Sequence, residues 1–174
     1  MRTPLNLRDY FLGRPVVLRS PLSPEAVSER IKANAKRWFH APWYTGPAGG
    51  VMFGRLTLRW VSSALEYNAK PILVGTIGEA GIGSTLNLTY RGPTMGRLFL
   101  ILWYAIFALF GFMVALNGTD PSLQGGDRLF VAMMSVVLVA FPIGLHLWGT
   151  RNSDQELEDL IEFLGDVAET HWEE

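Results

Sequence analysis

Two stretches decide the architecture: Leu98–Leu116, LFLILWYAIFALFGFMVAL, and Leu129–Trp148, LFVAMMSVVLVAFPIGLHLW. The first runs 19 residues without an Asp, Glu, Lys, Arg or His, and the second runs 20 residues with His146 alone. At about 1.5 Å of rise per residue, each helix reaches roughly 30 Å, the hydrocarbon thickness of a bilayer. A helix buried in a soluble core normally keeps a polar stripe. Neither stretch has one, so both are expected to span. The remaining composition agrees. Charged residues make up 18% of the 174, against about 25% in soluble domains. Six Trp and ten Phe argue against disorder, and the absence of Cys excludes disulfides and thiolate zinc sites.

The start, MRTPLNLRDYFLGRP, is charged and broken by Pro, unlike a cleavable leader. The first span is therefore expected to act as a retained targeting signal. Residues 1–97 hold 13 of the 15 Lys and Arg. Arg91 and Arg97 precede the first span and Arg151 follows the second, whereas the connecting loop 117–128 offers only Arg128. Positive charge stays inside, so both termini are expected in the cytoplasm of a multi-pass inner (plasma) membrane protein. Trp103, Tyr104 and Trp148 are expected toward the inner interface, with the ring of His146 reaching the headgroups.

Helices in lipid associate through small residues. Counted by depth, Ala105 and Ala108 fall level with Gly144 and Ala140, and Gly111 and Ala115 with Ser135 and Ala132. This seam is the expected hairpin contact; the competing use of the same residues is self-association. Pro142 is expected to kink the second span near its inner end. No carboxylate, Lys or Arg lies within either span to mark an ion path.

Residues 1–94 read as an α+β module of βαβββ order, an antiparallel sheet with one packed helix. Arg14–Arg19 is a β-rich run. Ser23 as N-cap, Pro24 at N1 and Glu25 in the first turn open a helix expected to reach Trp38, with Val27, Ile31, Ala35 and Trp38 on one face. Leu56, Leu58 and Trp60 alternate with Arg55, Thr57 and Arg59; Pro71–Ile77 is uniformly apolar; Leu86, Leu88 and Tyr90 alternate with Thr85, Asn87 and Thr89. The glycines at 75, 78, 81 and 83 lack the Lys and the following helix of a phosphate loop. Glu79–Gly83 is expected to be a Gly-rich hairpin instead. Through LRSPLSPEAVSERI (Leu18–Ile31), GRLTLRW (Gly54–Trp60) and KPILVGTIGEAGIGSTLNLTYRGP (Lys70–Pro93), the chain resembles uncharacterised small bacterial membrane proteins. That resemblance implies a strand–helix–strands module, a transmembrane hairpin and an acidic helical tail, with no activity attached.

Arg37-Trp38-Phe39-His40-Ala41-Pro42-Trp43-Tyr44 is the most aromatic soluble stretch. Arg37, Trp38, His40, Trp43 and Tyr44 can meet headgroups or a ligand, or can simply close the helix into a core and turn. No catalytic triad, cofactor motif or metal-ligand spacing is apparent, so neither a cofactor nor a metal is expected. The tail, residues 151–174, reads as an amphipathic helix with a Ser153/Glu156 capping box. Residues 152–174 carry nine Asp and Glu and no Lys or Arg, whereas residues 1–97 balance to +8. The tail is therefore expected to dock on the basic module through Leu157, Leu160, Ile161 and Leu164 rather than lie on an anionic leaflet. Nucleic acid is not expected, because the basic residues do not interleave with exposed aromatics. The expected function is non-enzymatic: a binding, adaptor or assembly component in the bilayer, with a protein partner or itself as mate. The alternatives are a membrane-associated enzyme or headgroup binder using Trp38–Tyr44, and an accessory subunit of a larger membrane complex.

Overall fold

A computed structural model of the chain describes residues 5–36, 44–62, 70–117 and 125–172, with the backbone alone over 113–117 and 125–132. The elements run α1 (Leu7–Leu12), β1 (Arg14–Ser20), α2 (Pro24–Asn34), β2 (Gly46–Met52), β3 (Arg55–Val61), β4 (Ile72–Glu79), β5 (Ser84–Arg91), α3 (Thr94–Asn117), α4 (Gly125–Thr150), α5 (Ser153–Ala168) and β6 (His171–Trp172). The strands form one antiparallel sheet ordered β2-β3-β4-β5-β1-β6. The protein is α+β, and α3 and α4 are long and apolar enough to cross a membrane.

Strand alternation sorts the sheet into two faces. Val16 pairs with Leu88, Leu18 with Leu86, Leu73 with Tyr90, and Leu58 with Leu73, so these side chains share one face. They are all buried, beneath α2 and α5. The apolar sets expected of β3 and β5 supply this face.

The start of α2 follows from its sequence. Ser23 Oγ accepts a bond from the Ala26 N–H at 3.3 Å, Pro24 fills a position whose N–H would be unpaired, and Val27 and Ile31 are buried. Its end does not reach Trp38. The helix stops at Asn34, Ala35 turns extended, and Lys36 bridges β2, donating to Pro47 O and accepting from the Gly49 N–H. Strand pairing satisfies those backbone groups in place of another helical turn.

That pairing depends on β2, GPAGGVM, a strand absent from the expected βαβββ order. Its glycines hide it, since there is almost no apolar alternation to read. At Gly49 (φ 141°) a Cβ would lie 2.0 Å from Thr57 O, so the close approach of β2 to β3 requires glycine. The β4–β5 turn is the expected Gly-rich hairpin, with positive φ at Gly81 and Gly83. The short α1 and the two-residue β6 were also not expected.

The helices α3 and α4 include the expected spans 98–116 and 129–148 and extend beyond them. Arg151 and Asn152 then turn the chain directly into α5. The capping box is corrected here. Asn152 holds the N-cap position without a side-chain bond, and Ser153 is the first helical residue, fully buried. Glu156 is occupied elsewhere, as described below. Segments 1–94 and 151–174 share one core, which also takes in Leu100 of α3.

Candidate functional site

The richest polar chemistry lies where α5 meets the sheet. Leu157, Leu160, Leu164 and Ala168 are buried there, and Ile161 packs against them half-buried. Among these leucines sits an ion pair, Lys70 Nζ to Glu156 Oε1 at 2.5 Å, with both residues buried. The Lys70 amine also donates to Ser62 Oγ. A serine beside a lysine suggests a nucleophile and its base, but a basic lysine needs a free amine, and this one is ion-paired. Tyr90 donates its hydroxyl to Ser153 O at 3.0 Å. Burial, then the charges of Glu156 and Asp154, push its phenol well above the usual range, so it remains a donor. Ser20 Oγ donates to Ala168 O at 2.6 Å, tying the far end of α5 to β1. Two exposed pairs complete the junction: Arg14–Asp154 at 3.5 Å and Arg30–Glu169 at 2.6 Å. The arrangement holds the tail in place.

The other sheet face differs. By register its strand residues include Arg19, Arg55, Arg59 and Arg91 with Thr57, Thr76, Thr85, Asn87 and Thr89, and none is acidic. The helix α1 covers the end nearest α3, where the chain around Gly13 runs close to Thr89 and Tyr10 lies on Gly92. Arg55, Arg19, Thr76 and Asn87 are exposed. Burial first, then the charges of Arg97 and Arg55, hold the Arg91 guanidinium below its ordinary pKa, so like charges crowd together here. Arg97 donates to Phe11 O at 3.1 Å, at the root of α3.

Of the aromatic stretch, Arg37, Trp38, His40 and Trp43 lie outside the described residues. Tyr44 turns back on the module: its hydroxyl donates to Pro47 O at 3.0 Å, and Lys36 Nζ stands 4.4 Å over its ring. Burial raises its pKa.

The helical pair does not meet along the small-residue seam. Ala105, Ala108, Gly111, Ala140 and Gly144 are exposed, and a Cβ on Gly111 or Gly144 would meet nothing within 4 Å. The side chains of Ala115 and Ala132 lie outside the described residues. Ser135, half-buried, lines an open groove on α4 with Ala140, Ile143 and Gly144. The contact is made by Trp103, whose ring lies 5.5 Å from both Phe99 and Phe141. Its indole donates to Leu138 O at 2.8 Å. Four residues on, Pro142 has no N–H to give that carbonyl. Trp103 supplies the missing bond and packs its ring against Phe141 across the helix pair. Trp103→Phe is expected to lower the free energy of detergent-driven unfolding by on the order of 1 kcal/mol, and Pro142→Ala should shrink that cost. An unchanged cost in the Pro142→Ala background would contradict this pairing. The ring of His146 is also corrected. It is buried against the module, 3.1 Å from Leu5 O and edge-on to Tyr10 at 4.8 Å, instead of reaching outward.

Among the described residues no group of three His, Asp or Glu side chains is placed to hold a metal ion. Comparison with family models, with curated proteins and with solved structures finds no match. The sequence reads Glu156 as part of a capping box and Tyr90 as a strand residue, gives Lys70 no role, and does not bring the three together. The cue was thin: Lys70 opens the apolar run before β4, and Glu156 falls on the buried side of α5.

Proposed function

We propose that the chain is an integral membrane protein whose two-helix hairpin crosses the bilayer and holds a non-enzymatic α+β module at the cytoplasmic side of the inner membrane, as a binding or assembly component. One observation carries this: α3 and α4 stand out from the sheet domain with large apolar side chains exposed. Leu98, Ile101, Leu102, Ile106, Leu109 and Phe112 on α3, with Val136, Val137, Phe141 and Leu147 on α4, all face outward. Such a surface far exceeds the patches that soluble monomers tolerate, and lipid covers it. A pair of core helices would bury these side chains against the sheet.

The rooting of the hairpin supports this orientation. The chain enters α3 from β5 through Gly92-Pro93 and returns from α4 into α5, which packs on the same sheet. Both feet therefore lie on the module's side, as do Arg91, Arg97 and Arg151. Reporter enzymes fused at either terminus are expected to be active in the cytoplasm, and the chain should stay in vesicles through carbonate washing. Export of either reporter, or release by carbonate, would overturn the proposal. Co-purification of a stoichiometric protein in mild detergent would favour the accessory-subunit alternative.

A further inference from the structure

We propose that copies of this protein associate head to tail in the plane of the membrane, the acidic outer ridge of α5 in one copy lying on the open basic sheet face of the next. This deepens the proposed function and rests on its claim that the hairpin holds all copies in one membrane.

The two surfaces are opposite sides of one two-layer domain. On α5 the buried side is Leu157, Leu160 and Leu164, and the exposed side is Gln155, Glu158, Glu162 and Asp166. The three acids fall at four-residue spacing, one above another on the helix, where like charges repel. No basic residue occurs in α5 to relieve them. Three other acids at this junction are matched within the chain: Asp154 with Arg14, Glu156 with Lys70, Glu169 with Arg30. Glu158, Glu162 and Asp166 are not. The sheet face has the converse arrangement. Among the described residues Arg55 and Arg91 make no ion pair, and no strand residue on that face is acidic.

The dimensions agree. Glu158 to Asp166 covers about 12 Å along a helix. By register Arg55 on β3 stands level with Asn87, four residues along β5 from Arg91, so the two arginines lie on a diagonal of about 16 Å across two strands. An acidic helix laid obliquely along that diagonal brings its carboxylates within side-chain reach of both Arg55 and Arg91. Confinement to one membrane puts face and ridge at the same height and raises their effective concentration, adding to an association that charge alone already supports. A nucleic acid strand fits this face less well, because its strand residues offer no Phe, Tyr or Trp ring for bases to stack on. Because the two patches differ, the contact is heterologous and propagates to further copies unless it closes into a ring.

The test uses the full chain in uncharged detergent, with mass read by sedimentation at low and high salt. Wild type is expected to form oligomers that dissociate to monomers as salt rises. Arg55→Gln/Arg91→Gln and Glu158→Gln/Glu162→Gln should each be monomeric at low salt. Mixed in equal amounts, they should form pairs and nothing larger, since the first keeps its ridge and the second keeps its face. Pairing on mixing also shows that both variants are folded. Oligomers that persist in either variant, or a mixture that stays monomeric, would overturn the proposal. So would loss of low-salt association in wild type unless anionic lipid is added, which would assign the face to headgroups. A chain that stays in vesicles through carbonate but shows no salt-sensitive association defeats this contact alone and leaves the membrane assignment standing.

Discussion

A chain ending at Arg151 is expected to lose the folded sheet domain, although every strand from β1 to β5 is retained. Leu160 and Leu164 are fully buried and Leu157 nearly so, all in the core beneath the sheet. Burying a leucine stabilises by about 1.5–3 kcal/mol, so the three together contribute roughly 5–9 kcal/mol. A whole domain has about 5–15 kcal/mol of stability, and a module this small has little to spare. The truncation also leaves Lys70 without its carboxylate and the Tyr90 hydroxyl without its acceptor. Proteolysis in detergent is the direct measurement. The full chain should resist cleavage within β1–β5, and the truncated chain should be cut there. A synthetic peptide of residues 152–174, added in excess, should restore resistance. Full resistance in the truncated chain would show that α5 is an ornament on a self-sufficient sheet. Salt should change the outcome little, because Arg14–Asp154 and Arg30–Glu169 are half-exposed pairs worth at most about 1 kcal/mol each.

That contrast shows what the sequence carries. The charge imbalance between tail and module points to where α5 lies, and the leucine repeat names the side chains that face inward. Most of the energy sits in those leucines, with charge aiding alignment. Strands β3, β4 and β5 are legible because their apolar residues alternate or cluster, and the α2 start because Ser23-Pro24-Glu25 is a strong local signal. Strand β2 is not legible, since GPAGGVM owes its place to close backbone approach at Gly49 and not to apolar side chains. Nor is the end of α2, where Lys36 leaves a continuing helical pattern to pair with a strand that leaves no trace of its own. The helix contact fails for a related reason. Counting by depth brings small residues level, but it cannot foresee that Pro142 frees the Leu138 carbonyl and that Trp103 fills the gap. A buried ion pair is harder still, because Lys70 and Glu156 are 86 positions apart and each looks like an ordinary surface charge.

Glu156→Gln is expected to be among the most damaging single substitutions in the described residues, although it alters one atom of the side chain. Lys70 is 3% exposed and Glu156 6% exposed, so neither charge can turn to water. Removing one partner of such a pair leaves the other as an uncompensated buried charge, at a cost of about 3–5 kcal/mol. Lys70→Met should cost a similar amount, with the stranded carboxylate beside Tyr90. The double substitution Lys70→Met/Glu156→Leu separates two roles. If the pair serves stability alone, an apolar replacement of similar volume should recover most of the loss or exceed it. Thermal or chemical unfolding of wild type, Lys70→Met, Glu156→Leu and the double variant gives the cycle directly, and the coupling between the two sites should be large and favourable. A pair that selects the seating of α5 predicts a further result. The double variant would regain its melting midpoint while amide exchange in α5 and β3 quickens, because leucines alone permit the helix to slide along the sheet. Additive single-site losses, with no recovery in the double variant, would mean that Lys70 and Glu156 act through separate neighbours and that their contact does not organise the junction.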